Sequence, residues 1–92
     1  MMAQIASPEV KTELQRRLRR IEGQARGVQR MIEEGRDCKD ILQQLAAIRS
    51  AAHQASLVLV RSYATQCLNQ PETRGSSAEL VDELVSVLAR VA

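Results

Sequence analysis

Apolar residues recur at helical spacing in the first third of the chain. Between residues 14 and 32 they follow one another at intervals of four, three, four, three and four: Leu14, Leu18, Ile21, Ala25, Val28 and Ile32. This heptad pattern predicts an amphipathic helix. Ser7 supplies an N-cap acceptor and Pro8 suits a first helical turn, so we expect the helix to span about residues 8–34, after a flexible tail of residues 1–6.

Two further helices are predicted after clear breaks. Gly35 favours a helix end, and residues 38–69 then carry apolar positions spaced by three and four, with neither proline nor glycine. A turn-rich stretch around Pro71 follows, and a last apolar pattern predicts a helix over about residues 77–90. The fold class is therefore all-α, a three-helix protomer that forms a single domain over residues 1–92. The short connection at Gly35 predicts antiparallel packing of the first two helices.

The two cysteines mark the ends of the second predicted helix. Cys38 and Cys67 are 29 residues apart, which separates them by roughly 43 Å along a helix, so they cannot meet within one chain. In an antiparallel pair of copies, however, Cys38 of one chain would lie opposite Cys67 of the other. Such a homodimer would hold two dithiol sites. The alternative is that each thiol is a small buried hydrophobic residue.

Arginines dominate the polar side of the first helix: Arg16, Arg17, Arg19, Arg20, Arg26 and Arg30. Gly23 and Gly27 lie among them, and because a glycine within a helix costs about 1 kcal/mol relative to alanine, we expect a close contact there. Phosphates of duplex DNA or a second helix would fit this surface; a solvated helix face is the alternative. Tyr63 is the only aromatic residue, which argues against base stacking on single-stranded nucleic acid.

Other functional classes find little support in the sequence. It contains no glycine-rich phosphate loop, and its one histidine, His53, is more than about 20 Å along the helix from either cysteine. We therefore expect no enzyme. With neither a CxxC nor an HxxxH pattern, a structural zinc site is not predicted. The absence of a signal peptide and of an apolar run of about 20 residues predicts a cytoplasmic protein that does not enter the membrane.

The segment RLRRIEGQARGV at residues 17–28, followed by a cysteine at the start of the next helix, resembles the CsoR/RcnR family of bacterial transcriptional repressors. The resemblance covers residues 17–68 and continues into the third helix. It implies a three-helix protomer, an antiparallel four-helix bundle as the homodimer, and a disc-like dimer of dimers as the homotetramer. It also implies a repressor that binds double-stranded operator DNA without a helix-turn-helix and leaves the DNA when an inducer reaches the thiol site.

One residue departs from the copper-sensing members of that family. Those members use a Cys-His-Cys set whose histidine lies four residues before the second cysteine, a position occupied here by Tyr63. A phenol is a poor ligand for Cu(I). Two cysteines without this histidine resemble the persulfide-sensing CstR branch, in which a di-, tri- or tetrasulfide joins the thiols of two subunits. The resemblance implies that Cys38 and Cys67 are the regulatory thiols and that Glu83 matches an acid near the site.

Together these observations predict a DNA-binding repressor that responds to persulfide or another reactive sulfur species and needs no cofactor. The six arginines would contact DNA, and Cys38 would react first because it lies at a helix N-terminus. A copper(I)-responsive repressor with Cys38 and Cys67 as metal ligands is the alternative within this class. From a different class, a helical adaptor that binds acidic partners through the first helix stays open, and it would not bind duplex DNA.

Overall fold

The computed structural model describes residues 4–69 and 77–91, which form three α-helices: α1 (Pro8–Glu33), α2 (Cys38–Leu68) and α3 (Ser77–Val91). The predicted all-α, three-helix protomer is confirmed, and these two ranges contain no β-strand. None of the helices in the described ranges combines the length and the apolar character that crossing a bilayer requires. The homodimer and homotetramer stay predictions.

Backbone hydrogen bonds and a glycine in the left-handed conformation form the turn between α1 and α2. Gly35 has a φ of 68°, the left-handed conformation that glycine adopts at little cost. The amides of Gly35 and Arg36 donate to the carbonyls of Ile32 at 3.1 Å and Met31 at 3.0 Å, which is a Schellman motif. The Asp37 side chain then caps α2. The chain reverses within these few residues, so α1 packs back along α2.

The packed helices leave much of their apolar surface uncovered. α1 and α3 both pack against α2, and the protomer measures 56 × 26 × 16 Å. Among the described residues only three hydrophobic side chains are buried, those of Val28, Ala55 and Cys67. Large apolar residues of all three helices are exposed: Leu18, Ile32, Leu42, Leu45, Leu57, Leu59, Leu68, Val81, Val85 and Leu88. Apolar surface of this extent favours association with another chain.

Candidate functional site

Cys38 and Cys67 occupy the two ends of α2 in very different surroundings. Cys38 is the first residue of the helix and is exposed, whereas Cys67 is the last but one and has 0% of its surface exposed. Both are free thiols. Because the helix between them separates them by roughly 43 Å, the structure does not bring these two predicted site residues together within one chain.

The two thiols nevertheless lie on the same side of α2. At about 100° per residue, their separation of 29 positions corresponds to eight full turns and about 20°. A second copy that ran antiparallel against this side would therefore place each Cys38 opposite the Cys67 of the other chain. The intersubunit pairing stays a prediction, but the helix geometry is compatible with it.

Tyr63 and Glu83 lie at the buried thiol. Tyr63 precedes Cys67 by one helical turn, and its phenol forms hydrogen bonds with the Glu83 carboxylate of α3 and with Cys67. Burial, together with the Glu83 hydrogen bond and the neighbouring Cys67, raises the pKa of Tyr63 to about 12. The phenol therefore stays protonated at neutral pH and can donate to Glu83. The structure thus brings together three of the predicted site residues.

The described part of the protomer does not assemble a metal site by itself. Within residues 4–69 and 77–91, no group of three or more His, Cys, Asp or Glu side chains could hold a metal ion. His53 is exposed in the middle of α2 and does not approach either cysteine. Any site that uses both thiols therefore requires a second chain.

The arginines of α1 fall into two groups. Arg16 and Arg17 both bind the Glu13 carboxylate at 2.7 Å, and the hydrogen bonds from Arg16 and then Arg17 lower the pKa of Glu13. The other four form no ion pair with any described residue and are exposed: Arg19, Arg20, Arg26 and Arg30. Four guanidinium groups are thus free to bind phosphate, while Glu13 offsets part of the charge of the other two.

Gly23 and Gly27 leave an open patch of backbone among these arginines. Apart from the adjacent turns of α1 itself, no heavy atom lies within 4 Å of the position that a Cβ atom would take at either residue. Nothing among residues 4–69 and 77–91 therefore requires glycine at these positions. The patch is free for close approach by DNA or by another helix.

Sequence reasoning missed Gln66, which binds the predicted flexible tail. The Ala6 amide donates to Gln66 Oε1 at 3.3 Å, and Gln66 Nε2 donates to the Gln4 carbonyl at 3.0 Å. Residues 1–3 of the tail lie outside the described residues, and its flexibility stays a prediction. No sequence signal marks such a contact, because one glutamine in a helix resembles any other and its partners are backbone atoms.

Comparison with known proteins places the chain among bacterial regulators. The family described as metal-sensitive transcriptional repressor matches residues 10–90. The copper-sensing transcriptional repressor CsoR of Bacillus subtilis is 36% identical over 84 residues, which cover 91% of this chain and 83% of that protein. The copper-sensing transcriptional repressor RicR of Mycobacterium tuberculosis is 42% identical over 60 residues, which cover 65% of this chain and 62% of that protein.

Solved structures share the fold along the whole chain. The copper-sensing repressor CsoR with Cu(I) from Geobacillus thermodenitrificans is 37% identical, with a TM-score of 0.79 over 98% of this chain and 92% of that one. The nickel-responsive transcriptional regulator InrS is 29% identical, with a TM-score of 0.78 over 100% of both chains. The similarity therefore extends over all three helices.

Proposed function

Because the chain belongs to the family of metal-sensitive transcriptional repressors, we propose that it binds operator DNA and leaves it when Cu(I) binds Cys67 together with Cys38 of the partner subunit. The arrangement of the two free thiols, at opposite ends of α2 but on one side of it, carries this proposal. Similarity to copper-sensing repressors of Bacillus subtilis and Geobacillus thermodenitrificans supports copper as the metal. These relatives are regulators and not enzymes, so family membership favours a repressor over a helical adaptor.

The donor atoms suit a soft monovalent ion. Two thiolates match the preference of Cu(I) for sulfur, whereas a structural zinc site would take four ligands. Tyr63 is a poor ligand for such an ion, and its phenol already bonds with Glu83. When bound, Cu(I) would supply a link between the thiolates of two subunits. The role of the protein is to hold Cys67 in a fixed, water-excluded position, so that one sulfur of the pair is placed before the metal arrives.

DNA binding is assigned to the cationic surface of α1. The four arginines that form no ion pair with a described residue, and the open backbone at Gly23 and Gly27, favour contacts with phosphate. Such contacts position a protein on DNA and make its affinity strongly dependent on salt. Arg20→Ala should weaken operator binding and lower the slope of log affinity against log salt by about 0.9, the value for one phosphate contact. Lys39→Ala, an exposed cation on α2, is the matched control and should leave that slope unchanged.

A second candidate inducer is a reactive sulfur species, and Tyr63 favours it. The residue occupies the position of the histidine that copper-sensing relatives are expected to use, so the site lacks a nitrogen ligand. The Cys38 thiolate would attack the outer sulfur of an organic persulfide RSSH, form a persulfide on Cys38 and release the thiol RSH. The Cys67 thiol of the partner subunit would then attack the inner sulfur of that persulfide, form an intersubunit disulfide and release hydrogen sulfide. These steps need no other oxidant.

A parallel titration decides between the two inducers. Reduced protein bound to labelled DNA from the region upstream of its own gene is treated either with Cu(I) buffered by a competing chelator or with an organic persulfide. Fluorescence anisotropy reports release, and intact-mass spectrometry reports cross-links between chains. We expect release by buffered Cu(I) without a cross-link.

The other results of this titration would each contradict a different part of the proposal. Release by persulfide with an intersubunit sulfur link, but not by Cu(I), would replace copper by reactive sulfur. Failure of both reagents to release the DNA would overturn the assignment of the thiols as the sensor. If the reduced protein does not bind the DNA at low salt, the repressor assignment itself fails for that operator region, and Arg20→Ala would then have no affinity to lower.

A further inference from the structure

Gln66, in the last turn of α2, holds the N-terminal segment (residues 4–7) against that helix. Its Oε1 accepts the Ala6 amide at 3.3 Å, and its Nε2 donates to the Gln4 carbonyl at 3.0 Å. One side-chain amide thus uses both its acceptor and its donor on the same stretch of backbone. We name this pair of hydrogen bonds the Gln66 clamp.

The clamp connects the two functional parts of the protomer. Gln66 directly precedes Cys67, whose complete burial means that a new bond at its sulfur must displace its surroundings, since protein interiors are close-packed. On the other side, Ala6 is followed by Ser7, whose hydroxyl accepts the Val10 amide at 3.3 Å and so caps α1. The clamp therefore links the thiol end of α2 to the first turn of the helix that carries the arginines.

The N-terminal segment also closes one side of an apolar cavity of about 270 Å³. Gln4 and Ile5 of the segment, Tyr63 of α2 and Val87 of α3 are among the lining residues, and none of the lining residues is charged. The segment thus shares a cavity with the side chain that is hydrogen-bonded to Cys67. A displacement of Tyr63 would change the packing of the segment as well as that of α3.

We propose that the Gln66 clamp couples the chemical state of Cys67 to the position of α1. The clamp is formed in the DNA-binding state, in which Cys67 is a free thiol, and it is broken when Cys67 binds metal or another sulfur. This inference rests on the function proposed above. A contact present in only one of two states stabilises that state, and its removal favours the other. Loss of the clamp should therefore make the repressor leave DNA at a lower inducer concentration.

Three variants remove the clamp in different ways. Gln66→Ala removes both hydrogen bonds, and Gln66→Glu keeps an acceptor but loses the donor. Ala6→Pro, at a position outside the helices, removes only the backbone amide that donates to Gln66. From the usual strength of two exposed hydrogen bonds, Gln66→Ala should lower the buffered Cu(I) concentration for half-release by about fivefold. Gln66→Glu and Ala6→Pro should each give a smaller shift in the same direction. The measurement is the anisotropy titration described above, with the organic persulfide replacing Cu(I) if only persulfide releases the wild type.

Two controls separate the clamp from general effects. Gln44→Ala removes an exposed glutamine of α2 that forms no hydrogen bond through its side chain with any described residue, and it should release at the wild-type concentration. The double variant Gln66→Ala with Ala6→Pro should be no more sensitive than Gln66→Ala, because both changes remove the same hydrogen bond. Circular dichroism verifies that each variant is folded.

The outcomes for the clamp and for the proposed function are distinct. If the wild type is released but the clamp variants respond at the same Cu(I) concentration as Gln44→Ala, the clamp has no role in signalling and the proposed function stands. If neither Cu(I) nor persulfide releases the wild type, the thiols are not the sensor, and the inference about the clamp falls with them.

Discussion

The two ends of α2 differ in how completely the protomer surrounds them. At the C-terminal end Cys67 has no exposed surface and lies beside Tyr63. At the N-terminal end Cys38 is exposed, and Leu42 and Leu45, which lie near it on the same side of the helix, are 64% and 47% exposed. The protomer therefore completes one half of each proposed thiol site and leaves the other half as open apolar surface.

This difference has a structural cause. α3 and the N-terminal segment line a shared cavity with Tyr63 in the second half of α2. In the first half of that side, Leu42 and Leu45 remain exposed within the part of the chain that the structure describes. In the proposed dimer the two thiols would therefore have separate roles, with Cys67 as the fixed partner and Cys38 as the thiol that the other subunit receives.

Removal of the exposed thiol should have the largest effect. Cys38→Ser leaves α1 and the buried end of α2 intact, so we expect normal affinity for DNA in the absence of inducer. Buffered Cu(I) should no longer release this variant from DNA. In allosteric proteins the binding of one ligand typically changes the affinity for the other by about 5- to 150-fold, and the variant should lose this whole effect. Anisotropy of labelled operator DNA measures both quantities.

A mixture of two single variants tests whether the sites are shared. In an antiparallel dimer of one Cys38→Ser chain and one Cys67→Ser chain, one site keeps both thiols and the other keeps none. Refolding the two variants together should thus restore Cu(I) binding at one of the two sites of each mixed dimer. Mixed dimers that bind no more Cu(I) than either variant alone would show that Cys38 and Cys67 do not meet across subunits.

A charge on the open apolar surface should disrupt the dimer. Leu42→Glu places a carboxylate on the side of α2 shared by both thiols, and we expect at least about a tenfold weaker association, because an unpaired buried charge is costly. Leu68→Glu is the matched control, since Leu68 is 66% exposed, almost the same as Leu42, but lies about 80° further around the helix. Sedimentation equilibrium compares them, and equal weakening by both substitutions would contradict this assignment of the interface.

At the buried end, Tyr63→His should strengthen metal binding. The imidazole would lie one turn before Cys67 and offer the nitrogen ligand that the site lacks, so Cu(I) affinity in a chelator competition should rise by about tenfold or more. Tyr63→Phe is the control, because it also loses the hydrogen bond with Glu83 but adds no nitrogen. If the two variants bind Cu(I) equally well, residue 63 does not face the metal.

The smallest effect concerns the ionisation of Tyr63. Glu83→Gln removes a negative charge and a charged acceptor, so the pKa of Tyr63 should fall from about 12 towards its ordinary value. Because the folded-state pKa lies above that of an unfolded tyrosine, the contribution of this group to stability is complete below a pH of about 10 and is lost as the pH rises through about 12. Phenolate absorbance during a pH titration measures the shift, and an unchanged midpoint would mean that Glu83 does not govern it.

Much of the protomer could be predicted because its signals are local. The Ser7 cap and the apolar repeat that begins at Leu14 mark α1, and Gly35 marks the turn, since each acts within a few residues. The separation of the two cysteines followed from helix geometry alone. The pairing of Arg16 and Arg17 with Glu13 is equally local, because Glu13 is the only acid three or four residues from either arginine, although sequence reasoning missed it.

Contacts between distant segments lay beyond sequence reasoning. Gln66 binds backbone groups some 60 residues away, and the backbone has no residue-specific signature. The choice of inducer was limited in a different way: reactive sulfur is favoured over copper by one residue, Tyr63, whereas similarity over the whole chain to copper-sensing repressors supports the copper alternative. A single substitution at a site changes its ligand set without changing the fold around it.

The full burial of Cys67 also affects the rate at which the protein would respond to an inducer. A sulfur with no exposed surface reacts only during brief openings of its surroundings, so in the proposed site the bond to Cys67 would form at a rate set by those openings rather than by collision with the reagent. A short pulse that reaches only Cys38 would dissipate before the second bond forms. Sustained exposure would complete it, so the proposed site would respond to the duration of exposure as well as to the inducer concentration.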